Sequence, residues 1–184
     1  AYHEYGHFLD DSFGGIGVGS DPLSVELRGR GLSEGIGDVV ALYRSLNPNL
    51  GEDFFGPNTT IRNYALPTTA VRGAKNRQYL CEECAKVVDP SGALVPQQHA
   101  QGQAFGGFAW DVHQAMGATA AEDRVLGALT FNASLMRDVV LDAFLLDDSP
   151  AFGGDGDPTN KSPNYDALCI AACKHGFDCP PIPD

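Results

Sequence analysis

The strongest constraint on this chain is its opening, Ala1-Tyr2-His3-Glu4-Tyr5-Gly6-His7, which contains His-Glu-x-x-His. On a helix, residues i and i+4 lie on one face, a turn apart. His3 and His7 can therefore aim two imidazoles at one point, and Zn²⁺ takes imidazole nitrogen readily. Glu4 sits beside them and reaches the open side of the same metal, where a carboxylate can take a proton from water. The pattern predicts a helix from residue 1 to about residue 11, with Phe8 and Leu9 as apolar anchors. Two solvated histidines on a surface helix would spell the same five residues, so the reading turns on a third ligand downstream. Such a helix would open uncapped just before His3, so an N-terminal portion is expected ahead of it.

That third ligand lies on the next helix. Leu32, Ile36, Val39, Tyr43 and Leu46 fall at helical spacing. Glu34 and Asp38 are i and i+4, close to the face that carries the apolar stripe, where an unpaired carboxylate is costly. Glu34 can complete a His-His-Glu zinc site, and Asp38 can accept the free N–H of a zinc-binding histidine. Between the two helices runs Phe13-Gly14-Gly15-Ile16-Gly17-Val18-Gly19-Ser20. A phosphate cradle needs a strand before the glycines, and none precedes these, so the stretch reads as a flexible loop.

His-Glu-x-x-His followed by Glu-x-x-x-Asp resembles the gluzincin zinc metallopeptidases, the thermolysin and fungalysin group. The resemblance implies that His3, His7 and Glu34 bind zinc, that Glu4 activates water and that Asp38 orients a histidine. The gap from His7 to Glu34 is longer than in the shortest members, and the Gly-rich loop accounts for the difference. Ser33 stands where the group usually has Asn, a residue thought to help hold substrate backbone. Ile61-Arg62-Asn63-Tyr64-Ala65-Leu66-Pro67 resembles the group's Arg-x-x-x-x-Pro segment. Its arginine, Arg62 here, touches substrate carbonyls and buttresses the zinc glutamate, a task suited to a fork of donors. His99-Ala100-Gln101-Gly102 resembles the His-x-x-Gly segment, whose histidine donates to the tetrahedral oxyanion. His99 opens a third helix whose stripe is Phe105, Phe108, Val112 and Met116. The partner that orients His99 is not evident from spacing, and Asp89 is the candidate. His113, on the same helix, reads as a packing or surface residue.

Composition sets the remaining bounds. The chain has 184 residues, enough for one domain with a core, and 43% are hydrophobic. No apolar run is long enough to span a membrane. A formal charge of −12 argues against nucleic acid and anionic membrane surfaces as partners. Cys81-Glu-Glu-Cys84 is read as a local disulfide rather than half of a zinc site, because no second pair of ligands supports it. Cys169 and Cys179 flank a short helix and its exit turn and can be bridged, which leaves Cys173 free. This usage leans toward an oxidising, extracellular setting.

Thr119-Ala120-Ala121-Glu122 reads as a capping box opening one long helix over 119–146, or two joined near Asn132. Its packing face would use Val125, Leu126, Leu129, Leu135, Val139, Leu141, Leu145 and Leu146. The acids from Asp147 to Asp157 could bind Ca²⁺ or simply be solvated. Ser162-Pro163 is expected to cap and open a last helix that stops at His175-Gly176. This end resembles the C-terminal part of catalytic domains in secreted bacterial gluzincins. The expected fold is therefore mainly α, with residues 1–184 as a single partial catalytic domain. It comprises the zinc helix and the helical C-terminal subdomain, and lacks the family's N-terminal sheet, whose edge strand takes extended peptides. The expected activity is zinc-dependent endopeptidase action on peptide or protein substrates, outside the cell. The alternative is a non-catalytic, zinc-containing binding module derived from a metallopeptidase, against which the retention of Glu4 argues.

Overall fold

The computed structural model describes residues 1–12, 26–65, 86–88, 94–131 and 135–182, together with 92 and 133. The Gly-rich stretch, Cys81, Cys84, Asp89 and Asn132 lie outside the described residues. The chain is mainly helical. Its helices are α1 (Tyr2–Ser12), α2 (Glu26–Ser45), α3 (Gln98–Met116), α4 (Ala118–Val125), α5 (Met136–Asp147) and α6 (Tyr165–Lys174). Among the described residues, two short antiparallel pairs interrupt them: β1 (Asn49–Leu50) with β2 (Arg62–Asn63), and β3 (Lys86–Val88) with β4 (Leu94–Pro96).

α2 is the hub, and both α1 and α3 pack along it. The packing is close because glycines face each other across both contacts. A Cβ on Gly6 of α1 would come within 2.6 Å of the Gly37 Cα on α2. A Cβ on Gly102 of α3 would come within 2.6 Å of the Gly31 carbonyl oxygen. Neither distance tolerates a side chain, so these glycines let the backbones of α1 and α3 approach α2 directly. Leu32, Ile36, Val39 and Leu42 of α2, with Phe105, Phe108 and Val112 of α3, are fully buried in one core. Burying each such side chain contributes about 1.5–3 kcal/mol relative to leaving it exposed. Leu46 does not continue the stripe. It takes a φ of 52° just past α2 and is exposed, because the chain must turn there toward β1.

The stretch after α3 divides into α4, a 3₁₀ turn at Gly127–Phe131, and α5. No capping box forms. α4 starts one residue before Thr119, directly after the left-handed Gly117, and the Glu122 carboxylate pairs with Arg44 instead. The buried face of α5 is Met136, Val139, Val140, Ala143 and Phe144, whereas Leu145 is exposed. A stretch so rich in leucine satisfies more than one helical phase, and packing against the 3₁₀ turn and α4 selected this one.

Asp147 is fully buried and serves the fold. Its Oδ1 accepts from Arg124 Nε at 3.0 Å, and its Oδ2 accepts from the Asn164 backbone N–H at 2.8 Å. Asp147 thereby closes the start of α6, the task expected of Ser162. A carboxylate is the stronger acceptor for the N–H groups of a helix start. Asp155 and Asp157 fold back on their own loop, accepting from the backbone N–H groups of Asp157 and Thr159 at 2.9 Å each. Among the described residues, the acids of this loop do not converge three together on one point.

α6 ends as the spacing predicts. Gly176 takes a φ of 74°, and the N–H groups of Phe177 and Gly176 return to the carbonyls of Ala172 and Cys173. Cys169 and Cys179 are disulfide-bonded and Cys173 is free. His175 is buried, with Nε2 3.0 Å from Asp111 Oδ2, which ties the end of α6 to α3.

Candidate metal centre

α1 presents His3 and His7 on the face that packs against α2, His3 about one turn before Gly6 of the Gly6–Gly37 contact and His7 directly after it. Gly37 is also required by His3 itself: a Cβ there would lie 2.7 Å from the imidazole Cε1. The Nε2 atoms of His3 and His7 are 3.1 Å apart. Glu34 Oε2, from α2, lies 3.3 Å from His3 Nε2 and 3.9 Å from His7 Nε2. These separations are close to the edges of a tetrahedron with metal–ligand bonds of about 2.0–2.1 Å, which are about 3.3–3.4 Å long.

The remaining ring nitrogens fix the orientation of both imidazoles. His3 Nδ1 is 2.9 Å from Asp38 Oδ1, and His7 Nδ1 is 3.2 Å from Ser33 Oγ. A proton on Nδ1 suits both contacts and leaves both Nε2 lone pairs facing Glu34. Asp38 is itself held. It is 1% exposed, accepts from the Tyr64 hydroxyl at Oδ2, and pairs with Arg62 at Oδ1. Glu34 Oε1 accepts from Gln98 Nε2 at 3.2 Å.

His99 stands at the rim, its side chain 45% exposed against 11% for Glu34. Its Nε2 lies 3.3 Å from Glu34 Oε2. Gln97 orients it. The Gln97 Oε1 accepts from the Ala100 N–H at 2.7 Å as the cap of α3, so the amide NH₂ must face His99 Nδ1. That places the imidazole proton on Nε2, toward Glu34. Glu4 is exposed on α1 and lines a cleft of about 520 Å³ with His3, Arg62, Leu50, Phe54 and Ile61.

Charges within the cluster shift Glu34 and His3 in opposite directions. Burial pushes the Glu34 carboxyl up, but His3 contact and the charges of His99 and His7 outweigh it and hold it below the ordinary value. His3 is pushed up to about 9, first by contact with Asp38 and then by Glu34. Protonated His3 therefore stabilises the metal-free fold. That contribution is complete below its ordinary 6.5 and is lost as pH rises through about 9. Without metal, the chain should melt higher than His3→Gln at pH below 6.5 and lose that margin above pH 9. A margin that stays constant across the window, measured by calorimetry in chelator, would refute this assignment.

His3, His7, Glu34, Asp38 and His99 thus meet at one place, Glu4 lies in the cleft beside His3, and Arg62 from β2 braces Asp38 rather than Glu34. Sequence reasoning missed Ser33 as the partner of His7, Tyr64 behind Asp38, Gln98 on Glu34 and Gln97 on His99. Gln97 caps α3 two residues before His99, but glutamine is not one of the usual cap residues, so the sequence carried little signal for it. His113 stacks on Trp110 at 4.9 Å between ring centroids and takes no part in the cluster. Comparison with protein families, with curated proteins and with solved structures returned no match.

Proposed function

We propose that the chain is the zinc-binding helical part of a secreted endopeptidase of the gluzincin kind, with peptide or protein as substrate. One observation carries the reading. Glu34 Oε2 is buried without a hydrogen-bond partner among the described residues, and the Nε2 atoms of His3, His7 and His99 all face it. Three imidazole nitrogens around this one carboxylate oxygen hold its charge, and the same convergence of donors suits a cation. His3, His7 and Glu34 fit Zn²⁺ as a donor set of two imidazoles and a carboxylate.

When bound, zinc would act as a Lewis acid on the scissile carbonyl and make water acidic enough to attack near neutral pH. The chain's own residues divide the rest. Glu4, free of the ligand cluster and open to the cleft, takes the proton from water and returns it to the leaving amine. His99, with its proton on Nε2, donates to the oxygen that becomes negative. Asp38 keeps the His3 ring in register, and Arg62 and Tyr64 keep Asp38 in place. The cleft beside Glu4 offers apolar wall from Leu50, Phe54 and Ile61 to a substrate side chain. The Cys169–Cys179 bond supports the extracellular assignment.

Zinc content by elemental analysis, with casein hydrolysis measured before and after chelation, tests the proposal. The parent is expected to hold stoichiometric zinc, and Glu34→Ala to hold little or none. Full occupancy in Glu34→Ala would overturn the ligand assignment. Zinc binding without hydrolysis of any peptide would leave a binding module.

A further inference from the structure

A second cluster lies at the far end of the chain. The sulfur atoms of Cys169, Cys173 and Cys179 all lie within 4.8 Å of one another. Cys169 and Cys179 are bonded, and the free, exposed Cys173 has its Sγ 3.4 Å from Cys179 Sγ. A thiol in van der Waals contact with a disulfide sulfur is the starting arrangement of thiol–disulfide exchange.

We infer that these three cysteines form an exchange site in which Cys173 attacks Cys179 and displaces Cys169. The Cys173 thiol gives its proton to solvent, and the thiolate forms a bond to Cys179 Sγ. The Cys169–Cys179 bond breaks, its electron pair leaves on Cys169, and Cys169 takes a proton from solvent. One disulfide and one thiol are present before and after, so no oxidant or reductant is consumed. Because Cys173 is exposed, its side chain can swing into line with the bond without moving a buried group.

Neither isomer is strongly favoured by the chain. The bridges close sequence separations of 10 and 6, and loop entropy depends only on the logarithm of loop length. Cys169 packs against the core and is half-buried, a setting that a neutral thiol tolerates as a small apolar group. Exchange would move the thiol from the surface to this half-buried site. It would shift the tether of residues 177–180 from the middle of α6 to its last turn. Phe177 stays in the core and the Tyr165 hydroxyl still bonds the Pro180 carbonyl at 2.6 Å, so the tail has anchors that survive the switch.

The test uses the intact chain. Samples are held at pH from 6 to 9 without added thiol, quenched in acid with an alkylating reagent, and digested with trypsin without reduction. Cleavage after Lys161 and Lys174 links the same two peptides in either isomer, and fragmentation locates the alkyl group. Label is expected on Cys173 at first and then increasingly on Cys169, with a Cys173–Cys179 bond in those molecules. Because the thiolate is the attacking species, the transfer rate should rise about tenfold per pH unit while the thiol remains mostly protonated. The rate should not depend on protein concentration, and Cys173→Ser should show no label on Cys169. Label confined to Cys173 at every pH would overturn the inference. So would label on Cys169 in Cys173→Ser, a rate proportional to protein concentration, or a bridge from Cys179 to Cys81 or Cys84.

Discussion

Glu4→Gln is expected to leave fold and zinc content unchanged and to lower peptidase turnover by about 10²–10⁴-fold, the usual loss for a general base. The side chain is exposed on α1, so the isosteric change removes no core contact. It lies outside the cluster of His3, His7 and Glu34, so a metal keeps its donors. What glutamine lacks is a site for the proton. In the mechanism above, the same carboxylate acts twice, first as base toward water and then as acid toward the leaving amine. Circular dichroism, zinc analysis and casein hydrolysis on parent and variant check the three parts separately. Equal turnover in Glu4→Gln and an active parent would overturn the role given to Glu4. Loss of zinc would instead place it among the ligands.

Asp147→Ala is expected to destabilise the fold by about 3–5 kcal/mol, the range for breaking a buried ion pair from one side. Arg124 is 8% exposed and would keep its charge without its carboxylate. The start of α6 would lose acceptors for both the backbone N–H and the side-chain amide of Asn164. Phe152 would not substitute, since its ring over Arg124, 4.2 Å from the centroid, offers the cation only a weak partner. Urea unfolding in chelator, so that metal binding adds nothing, gives the difference directly. A change below about 1 kcal/mol would put Asp147 among ordinary solvated acids. The same experiment bears on calcium, because a carboxylate committed to Arg124 and Asn164 is not free to ligate.

The local features were legible because they repeat within one turn or one cap. The helical placement of His3 and His7, the start of α3 beside His99 and the glycine exit of α6 each depend on residues a few positions apart. The Cys169–Cys179 bond joins residues that flank one short helix, so its separation could be read as well. Errors arose where several local solutions were equally good. Leucine-rich α5 could present more than one face, and Thr119 could cap only if the chain did not first turn at Gly117.

By itself, then, the sequence determined a mainly helical chain with an imidazole pair one turn apart and a carboxylate pair one turn apart. Tertiary structure alone decided that they meet. Gly6 against Gly37 and Gly31 against Gly102 bring three backbones close enough for His3, His7, Glu34 and His99 to converge. Tertiary structure also chose the groups that hold them: Ser33 for His7, Tyr64 and Arg62 for Asp38, and Gln98 for Glu34. The physical reason is that periodicity reports which face a residue occupies, whereas a hydrogen bond between distant segments depends on how two faces are packed. No spacing rule reaches from Asp38 to Tyr64, because the β1–β2 hairpin that carries Tyr64 to α2 is set by contacts rather than by its own sequence.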